Sequence, residues 1–318
     1  MNTVSEVPKV WVGFIVYGDV TAAYLPYFLQ SLQRQTFTST HLVCFDNSPE
    51  ADNENSEYLK NYPEIQVYRQ EGNIGFSAAY NILIANAIAS GAEYFFVVNP
   101  DTLVEPDVID QLVSSLEKNT QCASVCPKIL KWNFKAHIKT SLIDSCGLVL
   151  KPGLVFRDLG QGEEDKGQYD QSLIIGPSGA AGLFRLSALE SIQDKENFFD
   201  EFLFMYKEDC DLAYRLSLAG YSSHLVSKAV MYHDRTVSGG TLFQRFFSRK
   251  QRSKAANRFA FVNQHLLYIK YWHRQVFSNK CRIIAAIILR GLEALVLEQY
   301  LLGSYRYIFQ GARQVKKY

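Results

Sequence analysis

The chain has almost no net charge, with 33 Lys and Arg against 32 Asp and Glu in 318 residues. Without an excess of one sign there is no long-range field to recruit a polyanion, so nucleic acid is not an expected partner. Six cysteines are scattered at 44, 122, 126, 146, 210 and 281 with no CxxC pair, which excludes a zinc ribbon and gives no disulfide framework. They read as small core residues. The start, Met1-Asn2-Thr3-Val4-Ser5-Glu6, lacks a basic segment followed by an apolar run, and the expectation is a reduced, cytoplasmic protein. Long apolar runs are missing too. The stretch from Ile283 to Leu302 is interrupted by Arg290, Glu293 and Glu298, short of the roughly 20 clean apolar residues of a spanning helix. An interfacial helix fits it better. No internal repeat or low-complexity tract occurs.

What the chain does have is core-forming material: 47% apolar residues and 14% aromatics, ample for one large domain or two small ones. Residues 9 to 17 form an apolar, β-branched run broken by Gly18-Asp19, the pattern of a buried strand. Helical spacing follows from Thr21 to Gln33. A second strand, His41 to Phe45, ends in the turn cluster Asp46-Asn47-Ser48-Pro49. A third, Ile65 to Tyr68, leads through Glu71-Gly72-Asn73-Ile74-Gly75-Phe76 into a helix from Ser77 to Ser90, which Gly91 stops before a fourth strand at Tyr94 to Val98. Strands alternating with helices at this spacing predict an α/β fold with a mostly parallel sheet, whose ligand site lies beyond the carboxyl ends of the strands. Asp19, Asp46, Asn73 and Asp101 fall at or beyond such ends. From about 130 to 180 the pattern weakens into short strands and a polar loop, Gly160 to Gln171. Beyond 240 it turns basic and aromatic, with Arg245, Arg249, Lys250, Arg252, Lys254 and Arg258.

The densest concentration of charge in an apolar setting is Phe204-Met205-Tyr206-Lys207-Glu208-Asp209-Cys210-Asp211-Leu212-Ala213-Tyr214-Arg215. Burying three acids there is costly unless they are paired, hydrogen-bonded or used on a substrate. Asp211 and Arg215 have the i, i+4 spacing of an intrahelical ion pair. The bland alternative is a solvated helix start with acids near the positive end of its dipole. Upstream, Gly179-Ala180-Ala181-Gly182 removes side chains, which allows close approach to the backbone, although as bare sequence it reads as a plain small-residue strand or turn. Glycines in 71–77 permit close backbone approach, and Asn73 and Asn81 supply amides; an N-cap at Ser77 explains the same residues. Asp46 offers a carboxylate beyond a strand end, or caps its own turn.

In this order, Val97-Val98-Asn99-Pro100-Asp101-Thr102, the glycine-alanine block, the 204–215 block and His233 resemble the inverting family 2 glycosyltransferases of the GT-A fold, over roughly residues 9 to 260. The resemblance implies a GT-A nucleotide-diphospho-sugar transferase domain over 8–240 and a helical C-terminal extension over 241–318 that contacts the membrane. It implies Asp209 as the general base, with Glu208 orienting the acceptor or a neighbouring basic group. Asn99-Pro100-Asp101 stands at the DXD signature, where Asp101 with His233 would hold Mg²⁺ or Mn²⁺; a turn or N-cap acid is the alternative for Asp101, and a structural histidine for His233. Tyr17, Asp19, Asp46, Asn73, Gly75, Asn81, Asn99, Asp101 and Arg235 would line the donor site, and Gly179, Ala180, Ala181 and Glu208 the acceptor site. The segment Asp234 to Gly240 would form a lid over the diphosphate. The implied partners are a nucleoside diphosphate sugar and a glycan or lipid-linked acceptor at the inner face of the cell membrane, with a homo-oligomer allowed for. Within the family the chain looks most like bacterial rhamnosyltransferases, which implies dTDP-rhamnose as donor in cell-surface polysaccharide synthesis. Two rivals remain. A nucleotidyltransferase would need a basic, glycine-rich loop that Val16-Tyr17-Gly18-Asp19-Val20 does not provide, and a non-catalytic glycan binder on the same fold would be expected to have lost Asp101, Asp209 or His233.

Overall fold

A computed structural model describes residues 9–194, 197–235 and 253–315. The first apolar run forms β1 (Val10–Val16), followed by α1 (Gly18–Ala22) and α2 (Leu25–Gln33). The single helix expected from Thr21 is thus broken, because Pro26 has no N–H to give the carbonyl of Ala22. Then come β2 (Thr40–Asp46), α3 (Glu54–Leu59), β3 (Gln66–Arg69), α4 (Gly75–Ala89), β4 (Tyr94–Val98), β5 (Thr102–Val104) and α5 (Val108–Glu117). The region that reads as weak in sequence is mostly strand: β6 (Cys122–Asn133), β7 (Ile138–Ser145), the hairpin β8 (Leu148–Lys151) and β9 (Val155–Asp158), and β10 (Leu173–Ile174). After β11 (Ala181–Arg185) follow α6 (Leu186–Ile192), α7 (Glu208–Leu218) and β12 (Ser222–His233), and then α8 (Lys254–Lys270), α9 (Phe277–Val296) and α10 (Tyr305–Gln314).

One ten-stranded sheet has the order β10-β12-β6-β11-β4-β1-β2-β3, with β5 added to β12 and β7 to β6. Strands β1, β2, β3, β4, β6 and β12 share one direction, while β11 runs against both neighbours. The sheet is therefore mostly parallel, as expected. Its central strands are buried on both faces, β4 at every residue, which is why they read as continuous apolar runs without alternation. One face packs on α2 and α5 through Phe28, Leu29, Leu112 and Leu116. The other packs on α4, α6 and α7 through Tyr80, Leu83, Leu189 and Leu212.

A further cluster joins Leu148, Phe156, Leu203, Cys210 and Ala213 to Leu266, Leu267 and Tyr271 at the end of α8. The first helix of the C-terminal segment is thereby built into the same body as the acid block. Helix α9 differs: Phe277, Ile288, Leu289, Leu292, Leu295 and Val296 are exposed. Among the described residues no helix is long and apolar enough to cross a membrane.

Candidate active site

The carboxyl ends of the parallel strands gather the first group of predicted residues. Tyr17 and Asp19 are exposed just past β1. The turn between them is tied to the end of β2, since Gly18 N–H donates to Ser48 Oγ and its carbonyl accepts from Asn55 Nδ2. Asp46 is buried, with Oδ1 accepting from Ser48 N–H at 2.9 Å and Oδ2 accepting from Asn53 and Arg69 at 2.8 Å each. The turn cap is thus present, and Arg69 fixes the carboxylate's orientation. Asn73 is exposed and its Oδ1 accepts from Gly75 N–H. Gly75 has φ +87°, and a Cβ there would lie 2.5 Å from the Phe204 ring. Its glycine is demanded by that packing before any ligand arrives. Asn81 requires a correction as a donor-facing amide. Its Oδ1 accepts from the N–H groups of Phe198 and Phe199, and its Nδ2 donates to the Phe199 carbonyl and Glu201. With both ends of the amide spent on the 198–201 segment, Asn81 is an anchor for that segment.

The second group surrounds Asp101. The His233 ring bridges two acids, with Nε2 3.2 Å from Asp101 Oδ1 and Nδ1 2.8 Å from Asp144 Oδ2. Arg235 continues the chain of charges, 3.5 Å from Asp144 and 2.9 Å from Asp158. Burial lowers the basicity of His233, but the charge of Asp101 and the hydrogen bonds to Asp101 and Asp144 outweigh it and raise the pKa to about 10. As it stands, then, His233 is protonated at neutral pH, and the neutral imidazole expected of a metal ligand appears only when a cation displaces that proton. Among the described residues no group of three or more His, Cys, Asp or Glu is arranged as a metal cage. The residues nevertheless fit a hard cation that keeps water and phosphate oxygens. The buried Asp101 Oδ1 lies beside His233 Nε2 at 3.2 Å, so the two expected ligand atoms are side by side, and Asp144 holds the histidine from behind in the carboxylate–histidine arrangement that orients metal-binding imidazoles. Asp234 adds two links, its N–H donating to the Asp101 carbonyl and its carboxylate accepting from Tyr24 Oη at 2.7 Å. The rest of the predicted lid, 236–240, lies outside the described residues.

The third group is the acid pair at the start of α7. Asp209 is half-buried and accepts twice, from Gly179 N–H on Oδ2 at 2.9 Å and from Cys210 N–H on Oδ1 at 2.7 Å. One residue on, the Ala180 carbonyl accepts from Asn99 N–H, and Ala181 pairs with Val98 in the sheet. The small-residue block thus bolts the acid pair and the Asn99-Pro100-Asp101 turn to one short segment. Glu208 is buried with Oε2 unpartnered, and burial together with the charge of Asp209 pushes its pKa up to about 8. It sits there as a neutral acid at pH 7. Asp211 makes the expected pair with Arg215 at 2.8 Å, and Lys270 and Tyr271 also reach it at 2.7 Å. Burial would raise its pKa, but Lys270 and Arg215 hold it below the usual carboxylate value.

A curled, mostly parallel sheet with acids gathered beyond the carboxyl ends of its strands is the architecture of the GT-A glycosyltransferases. Residues 12–192, more than half of the chain, match the family described as Glycosyl transferase family 2. The chain belongs to that family and is a glycosyltransferase. It is 26% identical over 235 residues to an N-acetylglucosaminyl-diphospho-decaprenol L-rhamnosyltransferase of Mycobacterium tuberculosis (strain ATCC 25618 / H37Rv), covering 68% of this chain and 74% of that protein. In fold it is similar to GalNAc-T7 with UDP, GalNAc and Mn²⁺ (TM-score 0.61, 13% identity, 97% of this chain). The chain spans only 55% of the GalNAc-T7 chain. It is also similar to the mannosyltransferase PcManGT from Pyrobaculum calidifontis in complex with GDP-Man and Mn²⁺ (TM-score 0.52, 13% identity, 99% of this chain and 77% of that one).

Proposed function

We propose that this chain transfers a single sugar from a nucleoside diphosphate sugar to a hydroxyl with inversion, with Asp209 as the general base. The observation that carries the reading is the shared segment 179–181. It holds the half-exposed Asp209 carboxylate by one amide and the Asn99-Pro100-Asp101 turn by the next carbonyl. A base and a diphosphate-facing acid fixed to one segment suit an in-line displacement. In that step the acceptor oxygen forms a bond to the anomeric carbon and gives its proton to Asp209. The bond from that carbon to the diphosphate breaks, and the diphosphate leaves with the electron pair. Asp46, Asn73 and the residues at Tyr17 and Asp19 would face the nucleoside, and Gly179 with the neutral Glu208 would face the acceptor, with Ala180 and Ala181 buried behind them in the core. Asp101 and His233 would hold Mg²⁺ or Mn²⁺, which when bound neutralises charge on the diphosphate. Arg235 can add to that neutralisation by leaving Asp144 and Asp158 for phosphate oxygens.

The name of the M. tuberculosis relative supports rhamnose as the transferred sugar and N-acetylglucosamine on a polyprenyl diphosphate as acceptor; dTDP as the carrier and a place in cell-surface polysaccharide synthesis complete this reading. The apolar residues exposed along α9 support contact with the lipid surface in which such an acceptor resides. The test is a panel of UDP-, GDP- and dTDP-sugars with Mn²⁺, with and without N-acetylglucosaminyl-diphospho-polyprenol. Consumption of dTDP-rhamnose, stimulated by the lipid acceptor, is expected. Consumption of another donor alone would replace the donor assignment, and consumption of none would remove the reading.

A further inference from the structure

The turn entering the acid pair is held in a backbone conformation that L side chains avoid. Phe204, Tyr206 and Lys207 have φ values of 53°, 68° and 77°, and none is glycine. Such residues are strained and persist only where their surroundings over-determine them. Two clamps do so here. On one side the Phe204 carbonyl accepts from the N–H groups of Phe76 and Ser77 at 2.8 and 3.2 Å, at the start of α4. On the other side stands Asn263 of α8, 2% exposed. Its Nδ2 lies 2.6, 2.9 and 2.8 Å from the carbonyl oxygens of Leu203, Met205 and Tyr206. An amide has two hydrogens for these three acceptors, so at least one is shared, and the three carbonyls are drawn toward one point. Seven residues on, Lys270 spans the turn by pairing with Asp200 before it and Asp211 after it.

We propose that Asn263 is a positioning residue for the transfer, holding the strained 204–207 turn so that Asp209 stays on the Gly179 amide and faces the acceptor. The C-terminal segment is then part of the catalytic unit. This inference rests on the reading of Asp209 as the base.

The test uses the full chain with Asn263→Leu and Asn263→Asp, each alone and combined with Asp209→Asn. The leucine removes the donors at similar size. The aspartate keeps the shape but turns oxygens toward three carbonyls, so it gives a second reading if the first variant does not fold. With the donor that the wild-type chain consumes fastest, kcat should fall by roughly 10- to 10²-fold, the scale of a misplaced catalytic group. Donor KM and the affinity for the matching nucleoside diphosphate should stay within about twofold. In the Asp209→Asn background the same substitutions should slow the residual rate by less than about twofold, because displacing a base already removed costs nothing. Wild-type kcat in the Asn263 variants would overturn the proposal. So would an equal fold-loss in both backgrounds, or a loss of nucleotide affinity in step with kcat, since either marks Asn263 as a general fold contact. Asp209→Asn alone at the wild-type rate would instead remove the base assignment, and an inactive Asp209→Asn with unaffected Asn263 variants would remove only the positioning role.

Discussion

Replacing Asp209 with Asn is less conservative here than its shape suggests. Both carboxylate oxygens accept backbone N–H bonds, from Gly179 and Cys210. An amide has one acceptor oxygen, so in either orientation its NH₂ group must face one of those N–H donors. The lost bond and the opposed donors should cost about 1–3 kcal/mol of stability, visible as a lower Tm in calorimetry. The chemical loss is separate, because the amide cannot take the acceptor's proton, and general-base removal costs on the order of 10² to 10⁴ in rate. Nucleotide affinity should hardly change, since the substitution keeps the side chain's shape and leaves the Asp46 carboxylate and the Asn73 side chain untouched. The assay is steady-state transfer alongside calorimetric titration of the nucleoside diphosphate. Transfer at the wild-type rate would refute the base assignment, and unchanged Tm would refute the hydrogen-bond argument.

Three other predictions follow from the same structure. Glu208 is pushed up to about 8 in the folded chain from a usual value near 4.5, so the folded state binds its proton more tightly. The stability this contributes is full below about pH 4.5 and is lost as pH rises toward 8, at most roughly 1.4 kcal/mol per pH unit. Denaturation curves of Glu208→Gln should therefore gain on the wild type across that window, and parallel curves would sink the idea. For the cation, His233 must lose its proton first, so Mn²⁺ affinity in the presence of nucleoside diphosphate should rise up to about tenfold per pH unit below pH 10. Asp144→Asn, which removes the partner of Nδ1, should weaken it about 10- to 100-fold; pH-independent titrations and an unaffected variant would remove His233 from the metal site. At the membrane, replacing the exposed Leu289 and Val296 with Ser should reduce co-sedimentation with anionic liposomes at low salt while leaving transfer to a soluble acceptor intact, and equal sedimentation would assign α9 to protein packing. Truncation near Gly240 is the poorer test, because it strips α8 from the Leu148–Phe156–Leu203 cluster.

The parallel half of the sheet was legible because its strands are buried on both faces and bounded by glycine and turn residues. Asp46, Asp101 and Asp209 stood out as acids at strand or helix ends. The second half was hidden for a physical reason. Strand β6 is buried almost throughout but includes Ser124, Pro127 and Lys128, β7 and β12 have partly exposed stretches, and β12 also carries a register shift between Val226 and Val230, so neither continuous apolarity nor clean alternation marks them. Asp144 and Asp158 went unnoticed with those strands, although a lone acid in Ser141-Leu142-Ile143-Asp144-Ser145 is a legible signal of a buried, partnered carboxylate. Asn263 had no sequence signal at all, since its meaning lies in three carbonyls some 57 to 60 positions away. Asn81 misled because an amide near a glycine turn looks the same in sequence whether it faces a ligand or a neighbouring loop.

The most direct test of the account is the anomeric configuration of the product. If Asp209 activates the acceptor hydroxyl for a single displacement, NMR of the glycoside formed from a donor of known configuration must show inversion at the anomeric carbon. A product with retained configuration would contradict the account.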